Sequence, residues 1–481
     1  MTSIKQDMVH GVFWSVIEKY SGLVVGIIVS MILARILSPQ EYGVVAIATV
    51  LIQFLQMFCA MGIGPAIIQR KDLTDKDIDS IFTFTLLIGV ALSFLFFIGS
   101  WSIASFYDDS QLIRVCQILS IQVFFAAANM VPNALMAKNK RFKDIARRTL
   151  TLQIISGIIS VIAAYNGAGV YALLVSPLFT AIGIFIWNRH FYQVSINTHM
   201  SLDPIKRILP FSAYQFMFDF INYFSRNLDK LIIGRYMTVS ELGFYEKSYR
   251  LMQLPLNNLT SVINPVLQPV LASLQDQKQE MANKYNKLIQ YMASISFPLG
   301  AILYMCGSEI IYFFYVGNWD GAIDTFKILS LSVPLQLILS TTGGIFQACN
   351  ETKQLFYAGL RNTAMTVAGF IIAAVFFGSK EAIAWGWTLT FYLCFLSSFI
   401  ALYYIVFKTS IFDMLKRLIH PLINATILVV ILFFMDKIPM SYEILKLIIK
   451  IIISLAISLA YVQLTGLFNI TNIVKLKLHR K

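Results

Sequence analysis

The stretch ARILSPQEYGVVAIATVLIQFL, residues 34–55, aligns without a gap with GRYMTVSELGFYEKSYRLMQLP, residues 234–255. Several positions are identical at this shift of 200, and they include polar ones, which an apolar composition alone rarely produces. A weaker match at a shift of 210 aligns residues 118–120 with residues 328–330. We therefore predict an internal repeat that spans most of six helices. The identical pairs are Arg35 with Arg235, Glu41 with Glu241, Gly43 with Gly243, Leu51 with Leu251, Gln53 with Gln253, and Pro65 with Pro265.

The composition around this repeat is that of a membrane protein. Of the 481 residues, 57% are hydrophobic and 13% are charged, and the mean hydropathy is +0.70. An ordinary soluble domain has roughly 45–50% apolar and about 25% charged residues. The five cysteines lie singly in apolar runs, so no disulfide framework and no zinc site is predicted.

Runs of about 20 mostly apolar residues, each long enough to cross a bilayer, recur along the whole chain. We count fourteen candidate spans. Twelve stays an alternative, because the fifth and sixth spans are short and are separated only by residues 166–169. The predicted fold class is an all-α polytopic membrane protein with about 14 transmembrane helices.

A repeat of six helices inserts both copies in the same direction, because six is even. This predicts two parallel six-helix lobes around a central cavity, residues 1–200 and residues 201–408. Residues 409–481 form an additional two-helix segment outside the repeat. In transporters built from such parallel repeats, substrate lies between the lobes, which rock to give alternating access.

The basic residues predict the orientation. Most of the 38 Lys and Arg residues fall on the side that carries both termini, including the cluster at residues 138–148. By the positive-inside rule both termini are cytoplasmic. The net charge of +13 is thus explained by topology, and nucleic acid is not expected as a partner. The opposite side carries Arg35, Arg114, Arg235, Lys327, Lys380, Lys437, Lys446 and Lys450.

The seventh span contains charges where charges are costly. An ionised side chain near the bilayer centre costs roughly 2.5–3.5 kcal/mol on insertion scales. Asp219, Tyr223, Arg226 and Lys230 follow at spacings of 4, 3 and 4, which places them on one helical face, and Asp229 lies off that face. We expect this stripe to face a water-filled cavity or another lobe.

Other spans contribute further polar candidates. Glu18 and Lys19 lie in the first span, and Lys19 occupies the repeat position of Asp219. In the eighth span Arg250 is followed by Gln253, and its repeat partner Gln53 lies in the second span. Snorkelling of these long side chains to the interface is an open alternative.

No enzyme is predicted. Connections between spans are too short for a catalytic domain, and G-x-S-x-G, P-loop and H-E-x-x-H motifs are absent from the sequence. We predict no catalytic residue, no metal site and no cofactor.

The repeat segments resemble the signature regions of bacterial polysaccharide exporters. These are the lipid-linked oligosaccharide flippases of the multidrug/oligosaccharidyl-lipid/polysaccharide superfamily. The segments are residues 34–73 and residues 225–255, and ALMAKNKRFKDIA, residues 134–146, is similar to the basic connection after the fourth span of that family. The resemblance covers about residues 5–410.

This resemblance implies an inner-membrane flippase for surface polysaccharide export. It would move an undecaprenyl-pyrophosphate oligosaccharide from the cytoplasmic to the outer leaflet by alternating access, coupled to H+ or Na+ and working with polysaccharide assembly proteins. A pyrophosphate needs cationic partners. We assign the head group to Lys19, Arg226, Lys230, Arg250, Gln53 and Gln253, and ion coupling to Glu18, Asp219 and Asp229.

Two other transporters of the same architecture stay open. One is a cation-coupled antiporter for drugs or organic cations, whose cavity should be mainly acidic and aromatic. The mixed charges of this chain favour an anionic substrate. The other is a flippase for the cell-wall lipid precursor, a near relative that composition does not exclude.

Overall fold

The computed structural model describes residues 2–60, 62–196, 201–272, 275, 277–438 and 442–466. All regular elements within these ranges are helical. The helices are α1 Thr2–Ile36, α2 Pro39–Ala60, α3 Ile63–Gln69, α4 Asp75–Tyr107, α5 Gln111–Ala128, α6 Met130–Lys138, α7 Phe142–Tyr165, α8 Val170–Phe191, α9 Asp203–Tyr236, α10 Val239–Ala272, α11 Lys278–Met305, α12 Gly307–Tyr315, α13 Ile323–Ser330, α14 Val333–Leu339, α15 Thr342–Ala348, α16 Thr352–Phe377, α17 Lys380–Ile400, α18 Phe412–Asp436 and α19 Glu443–Leu464. A 3₁₀ turn at Asp320–Ala322 precedes α13, and a π-helical segment, Ala401–Phe407, continues α17.

The helices are long because a chain in lipid must satisfy its backbone hydrogen bonds internally. In the part of the chain that the structure describes, 11 helices are long and apolar enough to cross a membrane, or 12 if the bent pair at residues 320–348 forms one span. The all-helical membrane fold predicted from the sequence is confirmed. The count of fourteen stays a prediction. Helices α9 and α10 are not among the 11, although each has 34 residues and is long enough at roughly 1.5 Å per residue.

The repeat detected in the sequence begins with the same cap in both copies. At the start of α2, the backbone N–H and the hydroxyl of Ser38 donate to Glu41 Oε2 at 2.7 and 2.9 Å. At the start of α10, Thr238 donates to Glu241 Oε2 in the same way, at 3.0 and 3.1 Å. The backbone N–H of each glutamate donates back to the cap hydroxyl. These capping boxes satisfy donors that a helix start leaves open, which explains why the glutamate recurs.

The contacts divide the chain into two compact units, Met1–Gly243 and Phe244–Lys481. In the first unit α1 packs on α7, α4 on α5, α7 on α8, and α2 on both α5 and α9. In the second unit α11 packs on α18, α16 on α17, and α12 on α19. The lobes predicted from the repeat, residues 1–200 and 201–408, are defined by sequence similarity and not by contacts. They stay a prediction, as does the separate segment 409–481.

An ion network with a buried centre joins α12, α18 and α19 in the second unit. Lys450 Nζ, which is fully buried, contacts Glu309 Oε1 and lies 2.6 Å from Asp436 Oδ1. Lys446 Nζ completes the network at 2.9 Å from Asp436 and 3.4 Å from Glu309. Two acids and two bases balance each other in an otherwise apolar contact. The sequence placed both lysines among the loop charges of the outer side, and the structure shows that Lys450 is instead a core residue.

We expect Lys450→Ala to destabilise the protein by about 3 kcal/mol, because it leaves the buried carboxylate of Glu309 with only Lys446, at 3.4 Å, as its cation. Thermal unfolding in detergent measures the effect. The matched control is Lys437→Ala at the exposed end of α18, where Nζ lies 4.9 Å from the Phe433 ring centroid. Equal destabilisation by the two substitutions would contradict a structural role for the network.

Candidate functional site

The face predicted on the seventh span does not have one uniform environment. Helix α9 carries it, and the Tyr223 hydroxyl donates to the Val50 carbonyl of α2 at 2.6 Å. Arg226 is exposed, and Lys230 is half-buried. The side chain of Asp219 lies outside the described residues. Within the described part of this face, the tyrosine therefore packs against α2 while the arginine remains accessible.

Asp229 lies next to this face and is fully buried. Its Oδ1 accepts the backbone N–H of Lys230 at 2.8 Å. A carboxylate taken out of solvent needs hydrogen bonds or a nearby cation to remain ionised. Among the acids proposed for ion coupling whose side chains the structure describes, Asp229 is the most buried.

The candidates of the first span lie on a helix that packs closely on α7. Gln153 Nε2 donates to the Gly22 carbonyl at 2.8 Å, and an added Cβ at Gly157 would lie 2.6 Å from Val29 Cγ2. Small residues let the two helices approach. Glu18 is half-buried along this helix, and Lys19 is exposed.

A buried arginine on α7 was not among the predicted site residues. Arg148 is 5% exposed. Its Nη1 donates to Asn133 Oδ1 at 2.9 Å and to Asn188 Oδ1. Asn188 Nδ2 also donates to Asn133 Oδ1 at 2.9 Å. In the sequence Arg148 belongs to the basic cluster at residues 138–148 and is predicted to be a topology charge, and the signal for its buried role is an asparagine on each of two neighbouring helices.

The second unit holds the candidates of α10. Arg250 is exposed and Gln253 is half-buried. Lys247 was not among the predicted site residues, and it is 1% exposed. Its Nζ lies 4.7 Å from the Tyr315 ring centroid and 5.7 Å from that of Trp319. Such cation–π contacts stabilise a desolvated ammonium group.

Gln53 is exposed on α2, beside a row of aromatic side chains. Phe54 lies 5.5–6.1 Å, between ring centroids, from Phe220, Tyr223 and Phe224 of α9. Phe58 continues the row, 5.0 Å from Phe216. The aromatic contacts fill the space between α2 and α9, whereas Gln53 stays accessible.

Three candidate cations of the first unit are able to bind an anionic ligand. Within the first unit, Lys19 and Arg226 are accessible and Lys230 is partly accessible. No group of three His, Cys, Asp or Glu side chains that could hold a metal ion occurs among the described residues. Guanidinium and ammonium groups bind phosphate oxygens through charge-assisted hydrogen bonds.

Curated relatives align with nearly the whole chain. An uncharacterized membrane protein in the cps region of Klebsiella pneumoniae is 24% identical over 462 residues, 93% of each chain. The teichuronic acid biosynthesis protein TuaB of Bacillus subtilis strain 168 is 23% identical over 388 residues, 80% of each chain. The succinoglycan biosynthesis transport protein ExoT of Rhizobium meliloti strain 1021 is 22% identical over 438 residues, covering 89% of this chain and 87% of that one.

Solved structures share the fold. The lipid II flippase MurJ in an inward closed conformation superposes with a TM-score of 0.75 at 16% identity, over 94% of this chain and 98% of that chain. A multidrug resistance MATE transporter in an inward-facing conformation gives 0.58 at 15% identity, over 79% and 93%. At these identities the likeness shows a common architecture.

The model of the polysaccharide biosynthesis protein family matches residues 32–324. This range includes both repeat segments and the helices α9 and α10 that carry most of the candidate cations. The resemblance predicted from the sequence is confirmed, and the chain belongs to the polysaccharide biosynthesis protein family.

Proposed function

We propose that this protein moves a lipid-linked oligosaccharide across the cytoplasmic membrane by alternating access, as a transporter and not as an enzyme. The family match over residues 32–324 carries the proposal. The matched range includes Arg226, an exposed arginine of the long helix α9. Relatives named for teichuronic acid biosynthesis and succinoglycan transport support a surface glycan as the cargo. The basic clusters support cytoplasmic termini.

Arg226 is the principal head-group residue in this proposal. Its side chain is exposed on α9, and Tyr223 of the same helix packs against α2. An arginine exposed to hydrocarbon is costly, so its place is in a water-filled pathway or beside an anion. A pyrophosphate linkage supplies such an anion, and Lys230, one turn further along α9, adds a second cation.

Asp229 is the principal coupling residue. A buried carboxylate adjacent to the head-group cations is affected by the negative charge of an arriving phosphate. The same carboxylate can bind a proton or Na+. Glu18 and Asp219 are further acids assigned to coupling, and Lys19, Arg250, Gln53 and Gln253 are further head-group contacts. Assembly proteins that elongate the glycan are the expected partners.

We expect the purified protein to retain a polyprenyl-pyrophosphate oligosaccharide, and Arg226→Ala to lose it by roughly 10- to 100-fold. A hydrogen bond to a charged group contributes about 1.5–3 kcal/mol, and every 1.4 kcal/mol is tenfold in affinity. Mass spectrometry of lipids extracted from both proteins measures the loss, and Arg226→Lys should recover part of it.

The matched control is Arg114→Ala, which removes an exposed arginine from α5. It should retain the lipid at the level of the parent protein. If the parent carries only bulk phospholipid, the proposed cargo is wrong and organic-cation transport becomes the function to test. If Arg226→Ala keeps the oligosaccharide, the head-group assignment is wrong while the cargo stands.

Asp229→Asn should retain the lipid but lose the response of transport to an ion gradient, because the amide keeps the shape and cannot ionise. Transport into the opposite leaflet of proteoliposomes is measured with an imposed proton gradient and, separately, an imposed Na+ gradient. Asp75→Asn, at an exposed helix start, is the control. A gradient response equal to that of the parent would remove Asp229 from the coupling mechanism.

A further inference from the structure

Two repeat-related glycines bring the starts of α2 and α10 into backbone contact. An added Cβ on Gly43 would lie 2.8 Å from the carbonyl carbon of Val239 and nearer still to its oxygen. An added Cβ on Gly243 would lie 2.8 Å from the carbonyl carbon of Pro39, again nearer to the oxygen. Each glycine thus meets the first residue of the other helix, and we call this contact the glycine crossing.

The glycine crossing depends on space and not on backbone conformation. Neither Gly43 nor Gly243 is among the glycines with positive φ, so any residue fits the backbone angles. The obstructing atoms are backbone atoms of the other helix, joined at Gly43 by Val239 Cγ1 at 2.7 Å, and backbone atoms cannot rotate away as a flexible side chain can. A residue with a Cβ at either position must therefore push the two helix starts apart.

Weak polar contacts surround the glycine crossing. Arg235 Nη1 lies 2.9 Å from Asp108 Oδ2, and both side chains are well exposed, at 37% and 77%. The Arg235 guanidinium also lies 5.1 Å from the Phe106 ring centroid. Exposed ion pairs of this kind contribute little to stability. A polar depression of about 500 Å³ opens beside them, lined by residues that include Gln40, Asp109, Gln111, Thr238 and Ser240.

The contact continues inward from the glycine crossing along α2 and α9. Ile47 is 2% exposed, and its Cγ1 lies 3.3 Å from an added Cβ on Gly234. Further along, Tyr223 bonds to the Val50 carbonyl and the aromatic row of Phe54 and Phe58 follows. A continuous seam therefore runs from the helix starts into the membrane span.

We infer that the glycine crossing is the outer gate of the transport pathway, closed in this structure and opened when cargo leaves. The inference rests on the proposed function. One helix of the crossing comes from each repeat copy, at the end that the charge asymmetry predicts to face outward. Each glycine meets the backbone of the other helix, which closes the crossing tightly, and the neighbouring ion pair is weak. Opening the crossing breaks an ion pair that contributes little to stability.

We expect Gly43→Ala to expose the seam beneath the gate. All five native cysteines are buried and are first replaced by alanine. Ile47→Cys is then labelled from outside intact cells with a membrane-impermeant maleimide. Labelling should be slow behind the native glycines and at least tenfold faster with Gly43→Ala or Gly243→Ala. Gly359→Ala, a helical glycine with nothing near an added Cβ, should leave the rate unchanged. Equal rates in all variants would overturn the gate.

A second arm does not depend on introducing a clash. Gln40→Cys and Ser240→Cys, on the two sides of the polar depression, are joined with a short bismaleimide. The joined protein should still bind lipid-linked oligosaccharide but lose export, whereas each single-cysteine protein treated with the reagent should export normally. Undiminished export by the joined protein would overturn the gate and leave the proposed function standing. Failure of the untreated parent to bind or export the lipid would instead reject the proposed function.

Discussion

The cost of placing a charge away from water governs where the ionisable side chains of this protein lie. Lys450 is buried among two carboxylates, Lys247 between aromatic rings and Arg148 against two asparagines. Each has an enclosed environment that compensates for lost hydration. Arg226 is the contrasting case, exposed on a helix of the same membrane-embedded chain. An exposed cation at such a position needs water or an anion, which is the reason for assigning Arg226 to the head group in the proposed function.

The sequence predicts the helical membrane fold and the family well, because both depend on local patterns. Apolar runs indicate the membrane spans, and the internal repeat marks the segments that resemble the family. The environments of individual charges were harder to predict. Lys450 and Glu309 are separated by 141 positions, and nothing near either residue in the sequence indicates that they meet. The burial of Arg148 is equally hidden in the sequence, because its asparagine partners lie on other helices, α6 and α8.

Helix α9 shows both the strength and the limit of reasoning from spacing. The stripe of Tyr223, Arg226 and Lys230 was derived from helical periodicity, and helix α9 does run through all three. Periodicity defines a face but not what packs on it. Here Tyr223 contacts α2 through a hydrogen bond and aromatic rings, while Arg226 remains exposed. Which residues of the face are covered depends on the position of α2. The spacing of residues within α9 carries no information about that position.

The identities between the two repeat copies and the differences between them have separate physical origins. Glu41 and Glu241 both serve capping boxes, and Gly43 and Gly243 both meet the backbone of the other helix. A glycine inside a helix costs about 1 kcal/mol relative to alanine, so a glycine retained in both copies needs a compensating contact, and the crossing supplies it. One charged position of the predicted site differs between the copies, since Lys19 in one corresponds to Asp219 in the other, whereas the charged pairs Arg35 with Arg235 and Glu41 with Glu241 are identical. The shared glutamates and glycines thus have a structural explanation in the caps and the crossing, whereas the difference between Lys19 and Asp219 falls at a position that neither contact uses.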